Sequence, residues 1–168
     1  ICRQVLCLSN MRQMSIAAST YAINNEQRYP LARLVQMNDA QYIEQDWDFK
    51  KIKENGVFKS CNPGGLWSGD TNESIQQCPA FKGDSNSPND PYTGYNYNAS
   101  YIGGYVDQMY GYKIDSAKET SLKSPGQTVI FGDGQYRDGA NKFMRSPFQG
   151  ALDDTTTPRH AGTQGFRH

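Results

Sequence analysis

The first 25 residues carry the pattern that most constrains the fold of this chain. Apolar side chains recur there every three or four positions, which is the spacing of one face of an α-helix. The members of this stripe are Cys7, Leu8, Met11, Met14, Ala18 and Tyr21. Arg12 and Gln13 fall on the opposite, polar face. The pattern predicts an amphipathic helix from residue 1 to Asn25, and because no Ser, Thr, Asp or Asn caps its start, we expect it to continue a longer helix.

Turn-forming residues divide the rest of the chain into short segments. Gly, Pro, Asn and Asp cluster over residues 62–91, which predicts a long loop. A short helix is predicted over 32–42, and strands over 57–61, 94–102, 110–114 and 128–131. A chain of 168 residues normally folds as one domain. We therefore predict a single α+β domain over 1–168, in which a long N-terminal amphipathic helix packs on a small antiparallel sheet with long loops.

The charge balance argues against a nucleic-acid partner. The chain has 17 Lys and Arg residues and 17 Asp and Glu residues. Binding to a phosphate backbone, or to an acidic membrane surface, requires an excess of basic residues. We therefore expect no nucleic-acid partner. The sequence also contains no apolar run of the length that crosses a bilayer.

Several short motifs, taken in order, resemble those of one bacterial family. They are Cys7-Leu-Ser-Asn-Met-Arg-Gln-Met-Ser-Ile-Ala17, Tyr95-Asn-Tyr-Asn98, Lys123-Ser-Pro-Gly-Gln-Thr-Val-Ile-Phe-Gly-Asp133 and an Arg-His pair, either Arg159-His160 or Arg167-His168. In this order they are similar to segments of type II secretion pseudopilins and type IV pilin-like proteins, whose prepilin leader is cleaved and methylated. Each of the two Arg-His pairs is a candidate for the start of the His-x9-Asp-Gly ending of that family.

The resemblance implies a pilin-like fold and a structural role. Residues 1–28 would then form the remnant of a helical spine, and residues 29–168 a globular head. The protein is expected to be a filament subunit that assembles through its helix with copies of itself and with other pseudopilins. A segment preceding the helix would anchor it in the bacterial inner membrane, beside the secretion machinery, with the head in the periplasm or at the cell surface.

The four cysteines leave the disulfide pattern open. They are Cys2, Cys7, Cys61 and Cys78. Cys61 and Cys78 bracket a loop rich in Gly and Pro, and a disulfide between them would stabilise the fold by roughly 3 kcal/mol. A bond between Cys7 and Cys78 would instead tie the helix to the head. Free thiols are the third alternative, since sequence alone does not choose among the pairings. A disulfide would favour an oxidising compartment such as the periplasm.

Signatures of catalysis and of zinc binding are missing from the sequence. The two histidines, His160 and His168, lie close to the C-terminus, where a second side chain is poorly placed to orient a general base. No Gly-x-Ser-x-Gly nucleophile motif and no Cys-x-x-Cys spacing occurs. We therefore predict that the protein is not an enzyme and that it has no zinc site.

Calcium is the one cofactor for which the sequence offers ligands. The candidates in the C-terminal third of the chain are Asp133, Asp138, Asp153 and Asp154. Together with backbone carbonyls they could supply the six to eight oxygens that Ca²⁺ prefers. The family resemblance implies calcium in a C-terminal loop, as in major pseudopilins. Solvated acidic turns are the alternative interpretation of the same residues.

Tyrosines crowd the region 92–112 and suggest a second function. Exposed tyrosines with polar neighbours stack on sugars or on partner proteins. The candidate ligand surface consists of Tyr95, Tyr97 and Tyr101, and with it the chain would be a secreted module that binds carbohydrate or protein. Alternatively, the alternating tyrosines pack one face of a sheet against the helix.

Overall fold

One helix begins the described part of the chain. The computed structural model describes residues 2–67, 73–85, 89–91, 94–136 and 139–144. Helix α1 spans Cys2–Asn24 and has 23 residues. It is followed by a turn in which the backbone N–H of Gln27 donates to the carbonyl of Ala22 at 2.8 Å. None of the helices in these ranges combines the length and the apolarity that a bilayer span requires.

Eleven short strands follow the helix within the described residues. They are β1 (Arg33–Met37), β2 (Gln41–Asp46), β3 (Phe49–Glu54), β4 (Val57–Pro63), β5 (Tyr95–Asn98), β6 (Tyr105–Asp107), β7 (Tyr112–Ile114), β8 (Phe131–Asp133), β9 (Gln135–Tyr136), β10 (Gly139–Ala140) and β11 (Phe143–Met144). Short helical turns connect several of them, at Gly65–Trp67, Glu73–Gln76, Ala99–Gly103, Glu119–Ser121 and Pro125–Gln127. The described chain is therefore rich in β-structure.

Strands β1 to β4 form an antiparallel meander, so the short helix predicted over 32–42 is wrong. Each strand pairs with the next, and in the first hairpin Val35 lies opposite Glu44. The reason is the turn at Asn38. Its backbone exchanges hydrogen bonds with Gln41, and its side chain accepts a further one from the Gln41 N–H at 3.0 Å. This local side-chain bond favours a tight turn over a helix.

The meander belongs to a six-stranded mixed sheet. The strand order is β4-β3-β2-β1-β6-β7. Strand β6 lies parallel to β1, with Leu34 opposite Val106, and β7 is antiparallel to β6. Gly104 precedes β6 with a φ of 61°, and a Cβ there would lie 2.4 Å from the carbonyl oxygen of Ile114. Only glycine fits this entry into the sheet.

A second, smaller sheet is also mixed. Its strand order is β11-β5-β8, with β5 antiparallel to β8 and parallel to β11. Tyr97 is in the central strand, opposite Phe131 on one side and Phe143 on the other. Strands β9 and β10 form a separate two-stranded ribbon.

The predicted fold class is wrong. We expected a pilin-like α+β domain with a long helix on a small antiparallel sheet. The described residues instead form mixed sheets of six and three strands, beside a single α-helix of 23 residues that is short for that fold. Helix α1 packs mainly on β8 and on the turns Gly65–Trp67 and Glu73–Gln76. Each sheet is mixed because a parallel pairing joins strands far apart in sequence, which no local pattern indicates.

The core lies between α1 and the smaller sheet and has an aromatic centre. Trp47, Tyr97 and Phe131 pack with ring centroids 5.1 to 5.8 Å apart. Their buried polar atoms have partners: the Trp47 Nε1–H donates to the carbonyl of Lys142 at 3.1 Å, and the Tyr97 hydroxyl donates to that of Pro30 at 2.9 Å. The first bond fixes the start of β11 against the corner between β2 and β3, and the second fixes β5 against the segment that precedes β1.

Candidate functional site

Helix α1 carries apolar side chains on both of its sides. Its inner side is buried in the core, with Cys7 at 1 % exposure and Met14 and Ala18 at 0 %. Its outer side exposes five aliphatic side chains by 49 to 74 %, namely Val5, Leu6, Leu8, Ile16 and Ile23. The predicted assembly stripe is therefore divided. Cys7, Met14 and Ala18 face the core, Met11 and Tyr21 are half-buried, and Leu8 alone lies on the outer side.

Two thiols and a carboxylate meet beneath the inner side of α1. The Sγ atoms of Cys7 and Cys78 lie 3.2 Å apart, although 71 residues separate them in the chain. An oxygen of Asp133 joins them, so that all three ligand atoms lie within 4.8 Å of one another. All three side chains are buried. Cys7, Cys78 and Asp133, which we call the thiol–carboxylate group, could therefore hold a metal ion.

Three different parts of the fold position this group. Cys7 lies on the buried side of α1, Cys78 follows the turn Glu73–Gln76, and Asp133 ends β8. The hydroxyl of Tyr95 donates to the Cys7 sulfur at 3.4 Å, and the Asn10 side-chain amide donates to the Tyr95 oxygen at 3.2 Å. Hydrogen bonds of this kind orient a ligand atom from behind.

The backbone comes unusually close to this group. Gly94 has a φ of 108°, and a Cβ at this position would lie 2.5 Å from the Cβ of Cys78. Gly134 follows Asp133 directly, and a Cβ there would lie 2.7 Å from the Asn96 side-chain nitrogen. Glycine is therefore required at position 94, whereas at position 134 only the end of the Asn96 side chain would have to move. Gly94 is a sequence signal for the site.

The thiol of Cys78 is a poor nucleophile in this environment. Burial, reinforced by the hydrogen bond with Cys7, raises the pKa of Cys78 to about 11. Burial also raises the pKa of Tyr95 far above its usual range. Because the thiolate is the reactive form, the protonated Cys78 is not activated for covalent catalysis. A metal ion would have to displace the thiol proton before it could bind.

The structure brings together one of the two predicted cysteine pairs. Cys61 lies in β4 as a free, half-buried thiol, so the predicted pair Cys61 with Cys78 is not formed. Burial, together with Asp90, raises the pKa of Cys61 to about 11. Cys7 and Cys78, the alternative pair, are adjacent and are also free thiols.

Of the predicted calcium ligands, only one falls within the described residues. Asp133 is buried in the thiol–carboxylate group. The other three, Asp138, Asp153 and Asp154, lie outside the described residues, as do His160 and His168. The structure therefore places Asp133 next to two cysteine sulfurs. It does not test whether the four predicted aspartates together bind calcium.

The predicted tyrosine surface does not form. Tyr95 and Tyr97 are buried at 3 % and 0 % exposure, while Tyr101 is 46 % exposed. The physical reason is that β5 is the central strand of its sheet and is covered by α1 and by the corner at Trp47. Of the two interpretations of the alternating tyrosines, packing inside the fold is correct for Tyr95 and Tyr97.

A buried charged cluster between the two sheets was not predicted from the sequence. It consists of three basic and four acidic side chains: Arg33, Lys51 and Lys142 with Glu44, Asp46, Asp48 and Asp90. The Nζ atom of Lys142 is at its centre, 3.1 Å from Asp46, 2.9 Å from Asp48 and in contact with Asp90. Arg33 donates to Asp46 from the other side at 2.8 Å.

The cluster contains one more acidic than basic group, and Asp48 is the group that takes up a proton. Burial raises the pKa of Asp48 to about 6. Burial acts in the same direction on Asp46, but Lys142 and Arg33 outweigh it and lower the pKa of Asp46 to about 2. Burial alone would lower the pKa of Lys142, but the surrounding carboxylates raise it. Lys142 therefore stays charged, and the cluster is a structural element, not a source of a free amine.

Comparison with known proteins adds no identification. Neither a protein-family model, nor a curated protein, nor a solved structure matches this chain. The functional conclusions below therefore rest on the described side chains and on the motifs in the sequence.

Proposed function

We propose that the protein is a structural subunit, a pseudopilin, of a type II secretion or type IV pilus-like filament. The observation that carries this proposal is the outer side of α1, where five aliphatic side chains between Val5 and Ile23 are exposed. Exposed polar side chains, among them Ser9, Arg12 and Gln13, lie between these aliphatic ones, so the outer side of α1 is a mixed surface on which aliphatic side chains are available for protein association. We assign this side of α1 to contact with α1 of neighbouring subunits.

The shape and composition of α1 support another copy of the same helix as the partner. Val5 and Ile23 lie about 27 Å apart along the helix axis, at 1.5 Å per residue. The helix contains two arginines and no acidic residue, so it offers aliphatic contact and not a pattern of opposite charges. Fully burying one Ile side chain stabilises an interface by about 1.5–3 kcal/mol. Contacts repeated from subunit to subunit without closing into a ring build a filament.

The attachment of α1 to the rest of the fold also supports this role. Met14 and Ala18 are fully buried against the core, so the helix is displayed in a fixed orientation. A filament subunit needs such rigidity, because a small change of angle at each contact accumulates along the assembly. In this proposal the other partners are further pseudopilins and the inner-membrane secretion machinery. The membrane is reached through an apolar segment ahead of α1, and the head faces the periplasm or the cell surface.

As a filament subunit, the protein would need neither a catalytic site nor a calcium ion among the described residues. Asp133, the one described member of the predicted calcium set, has two sulfurs as neighbours. Ca²⁺ takes hard oxygen ligands, whereas thiolates select softer metals. A calcium site would therefore need the remaining predicted aspartates without Asp133.

Site-specific cross-linking of the full-length gene product in its own cells tests this proposal. A photoreactive phenylalanine analogue would replace Ile16 on the outer side of α1, and in a second strain Lys113, which is 66 % exposed on β7. We expect a ladder of covalent multimers from position 16, with α1 of a second copy as the attached segment. Position 113 should give no such ladder.

Two outcomes would contradict the filament role. One is the absence of adducts between α1 helices in cells that produce the full-length protein. The other is that position 16 attaches to a different secreted protein or to a glycan carrier, which would favour the secreted binding module. With the photoreactive residue kept at position 16, the variant Ile23→Asp should abolish the ladder, whereas Gln13→Asp, also exposed on α1, should preserve it.

A further inference from the structure

Although the cysteine spacing predicted no zinc site, we propose that Cys7, Cys78 and Asp133 bind one zinc ion, which fastens α1 to the head. The three ligands come from three parts of the fold that are distant in sequence, and their ligand atoms lie within 4.8 Å of one another. Two thiolates and a carboxylate are ligands that Zn²⁺ accepts. This inference is independent of the filament role, since it concerns the buried side of α1 and not the exposed one.

The positions of the sulfurs fit a zinc ion after a small adjustment. Zinc–sulfur bonds of about 2.3 Å in a tetrahedron place two sulfurs about 3.8 Å apart. The Sγ atoms of Cys7 and Cys78 are 3.2 Å apart, so they need to separate by roughly half an ångström. Both lie on side chains that can rotate by this amount. The ligand set is therefore nearly formed before the ion arrives.

A small cavity beside the group supplies room for a fourth ligand. Its volume is about 10 Å³, and it is lined by Cys78, Phe81, Gly94, Asp133 and Gly134. This volume is close to the smallest that holds one water molecule. The surface that lines the cavity is apolar, so the zinc ion itself would be the polar partner of a water there, which would be its fourth ligand.

The carboxylate distinguishes a metal site from a disulfide. A disulfide uses the two sulfurs alone and gives no role to Asp133, which is buried at 5 % exposure beside them. A divalent ion bound between this carboxylate and both thiolates offsets two of their three negative charges at once. The Tyr95 hydroxyl, which donates to the Cys7 sulfur, would stabilise the bound thiolate from behind.

Binding is coupled to proton release. Zinc binds a cysteine sulfur as the thiolate, so each Cys sulfur that bonds to Zn²⁺ releases its thiol proton to solvent.

Titration of the reduced full chain with Co²⁺, followed by displacement with Zn²⁺, tests the site. We expect one equivalent of Co²⁺ to produce thiolate-to-cobalt charge-transfer absorption, and Zn²⁺ to abolish it. The variant Cys78→Ser should lose this signal, and Asp133→Asn should weaken binding at least tenfold. The matched control is Cys61→Ser, which removes a thiol outside the group and should bind like the wild type.

A measurement on the unmodified protein covers the case in which a variant does not fold. X-ray absorption of the zinc-loaded wild type should show two sulfur neighbours and two lighter ones. A zinc shell without sulfur would overturn the proposal, as would cobalt absorption that persists in Cys78→Ser. It would also be overturned if the reduced chain binds no metal and air oxidation simply joins Cys7 to Cys78 in a disulfide.

Discussion

The ammonium group of Lys142 lies 3.1 Å from a carboxylate oxygen of Asp46, although 96 residues separate the two in the chain. Both side chains are buried, at 5 % and 0 % exposure. Asp46 ends β2 in the large sheet, and Lys142 directly precedes β11 in the small one. The pair therefore connects the two sheets through a contact that neither sheet could form alone.

Removing this ammonium group should strongly destabilise the fold. We expect Lys142→Met to lower the free energy of unfolding by about 3–5 kcal/mol, because it leaves buried carboxylates without their counter-ion. Urea unfolding measures the change. The matched control is Lys113→Met, which removes a lysine paired with Asp115 at the surface and should cost less than about 1 kcal/mol. Equal losses in the two variants would show that the cluster is not a structural element.

The cluster should also make stability depend on pH. The folded protein holds the Asp48 proton more tightly than the unfolded chain, since the pKa of Asp48 is raised to about 6. The contribution of this proton to the free energy of unfolding is fully present below about pH 4 and is lost as the pH rises through about 6. The free energy of unfolding of the wild type, relative to that of Asp48→Asn, should therefore fall by up to about 3 kcal/mol between these pH values.

Urea midpoints of the wild type and Asp48→Asn, compared from about pH 4 to about pH 7, measure this difference. Asp115→Asn, at an aspartate that is 56 % exposed, is the matched control and should follow the wild type. A constant difference between wild type and Asp48→Asn across the range would contradict the assignment of the proton to Asp48.

The two sides of α1 should respond differently to truncation. Met14→Ala leaves a cavity at a fully buried position and should lower the free energy of unfolding by about 2–5 kcal/mol. Ile16→Ala, at a side chain that is 58 % exposed, should change the stability of the isolated chain by less than about 0.5 kcal/mol. Thermal unfolding of the two variants gives the comparison. A large loss from Ile16→Ala would mean that the outer side of α1 is covered within the subunit itself.

The hydroxyl of Tyr97 should matter for stability and not for ligand binding. Tyr97→Phe leaves the buried carbonyl of Pro30 without the bond it accepts at 2.9 Å, which should cost about 1–3 kcal/mol. Tyr110→Phe, at a side chain that is 83 % exposed, should be neutral. Urea unfolding of both variants measures the change. If the hydroxyl of Tyr97 contacted a ligand and not the fold, Tyr97→Phe would weaken ligand binding and leave the free energy of unfolding unchanged.

Local signals in the sequence predicted the first helix and the strand at 57–61, whereas the strand predicted over 94–102 ends at Asn98 and the one over 128–131 begins only at Phe131. The three- and four-residue spacing of apolar side chains places a helix over the first residues, and the structure has α1 at Cys2–Asn24. The strand predicted at 57–61 lies within β4. Both depend on neighbours a few positions apart, which a periodic pattern reports directly. The hairpin at Asn38 was mistaken for a helix because a side-chain hydrogen bond in its turn outweighs the spacing of nearby apolar residues.

Contacts between distant segments were beyond such patterns. The sequence around Cys7 does not indicate that Cys78 and Asp133 lie next to it in the fold. No periodic pattern in the sequence indicates that β1 pairs in parallel with β6. The acidic residues at 44, 46 and 48 were a usable hint, since two of them share one face of β2. Their basic partner Lys142 could not be paired with them without the tertiary fold.

The late position of Lys142 in the chain also has a consequence for synthesis. Asp46, Asp48 and Asp90 leave the ribosome long before the ammonium ion that neutralises them. Hairpins among β1 to β4 can close early with Arg33 and Lys51 as basic partners, yet the cluster lacks its central ammonium group until residue 142 emerges. The nascent protein therefore acquires its final packing in one late step, and a chain terminated before that lysine should be handed to chaperones or proteases.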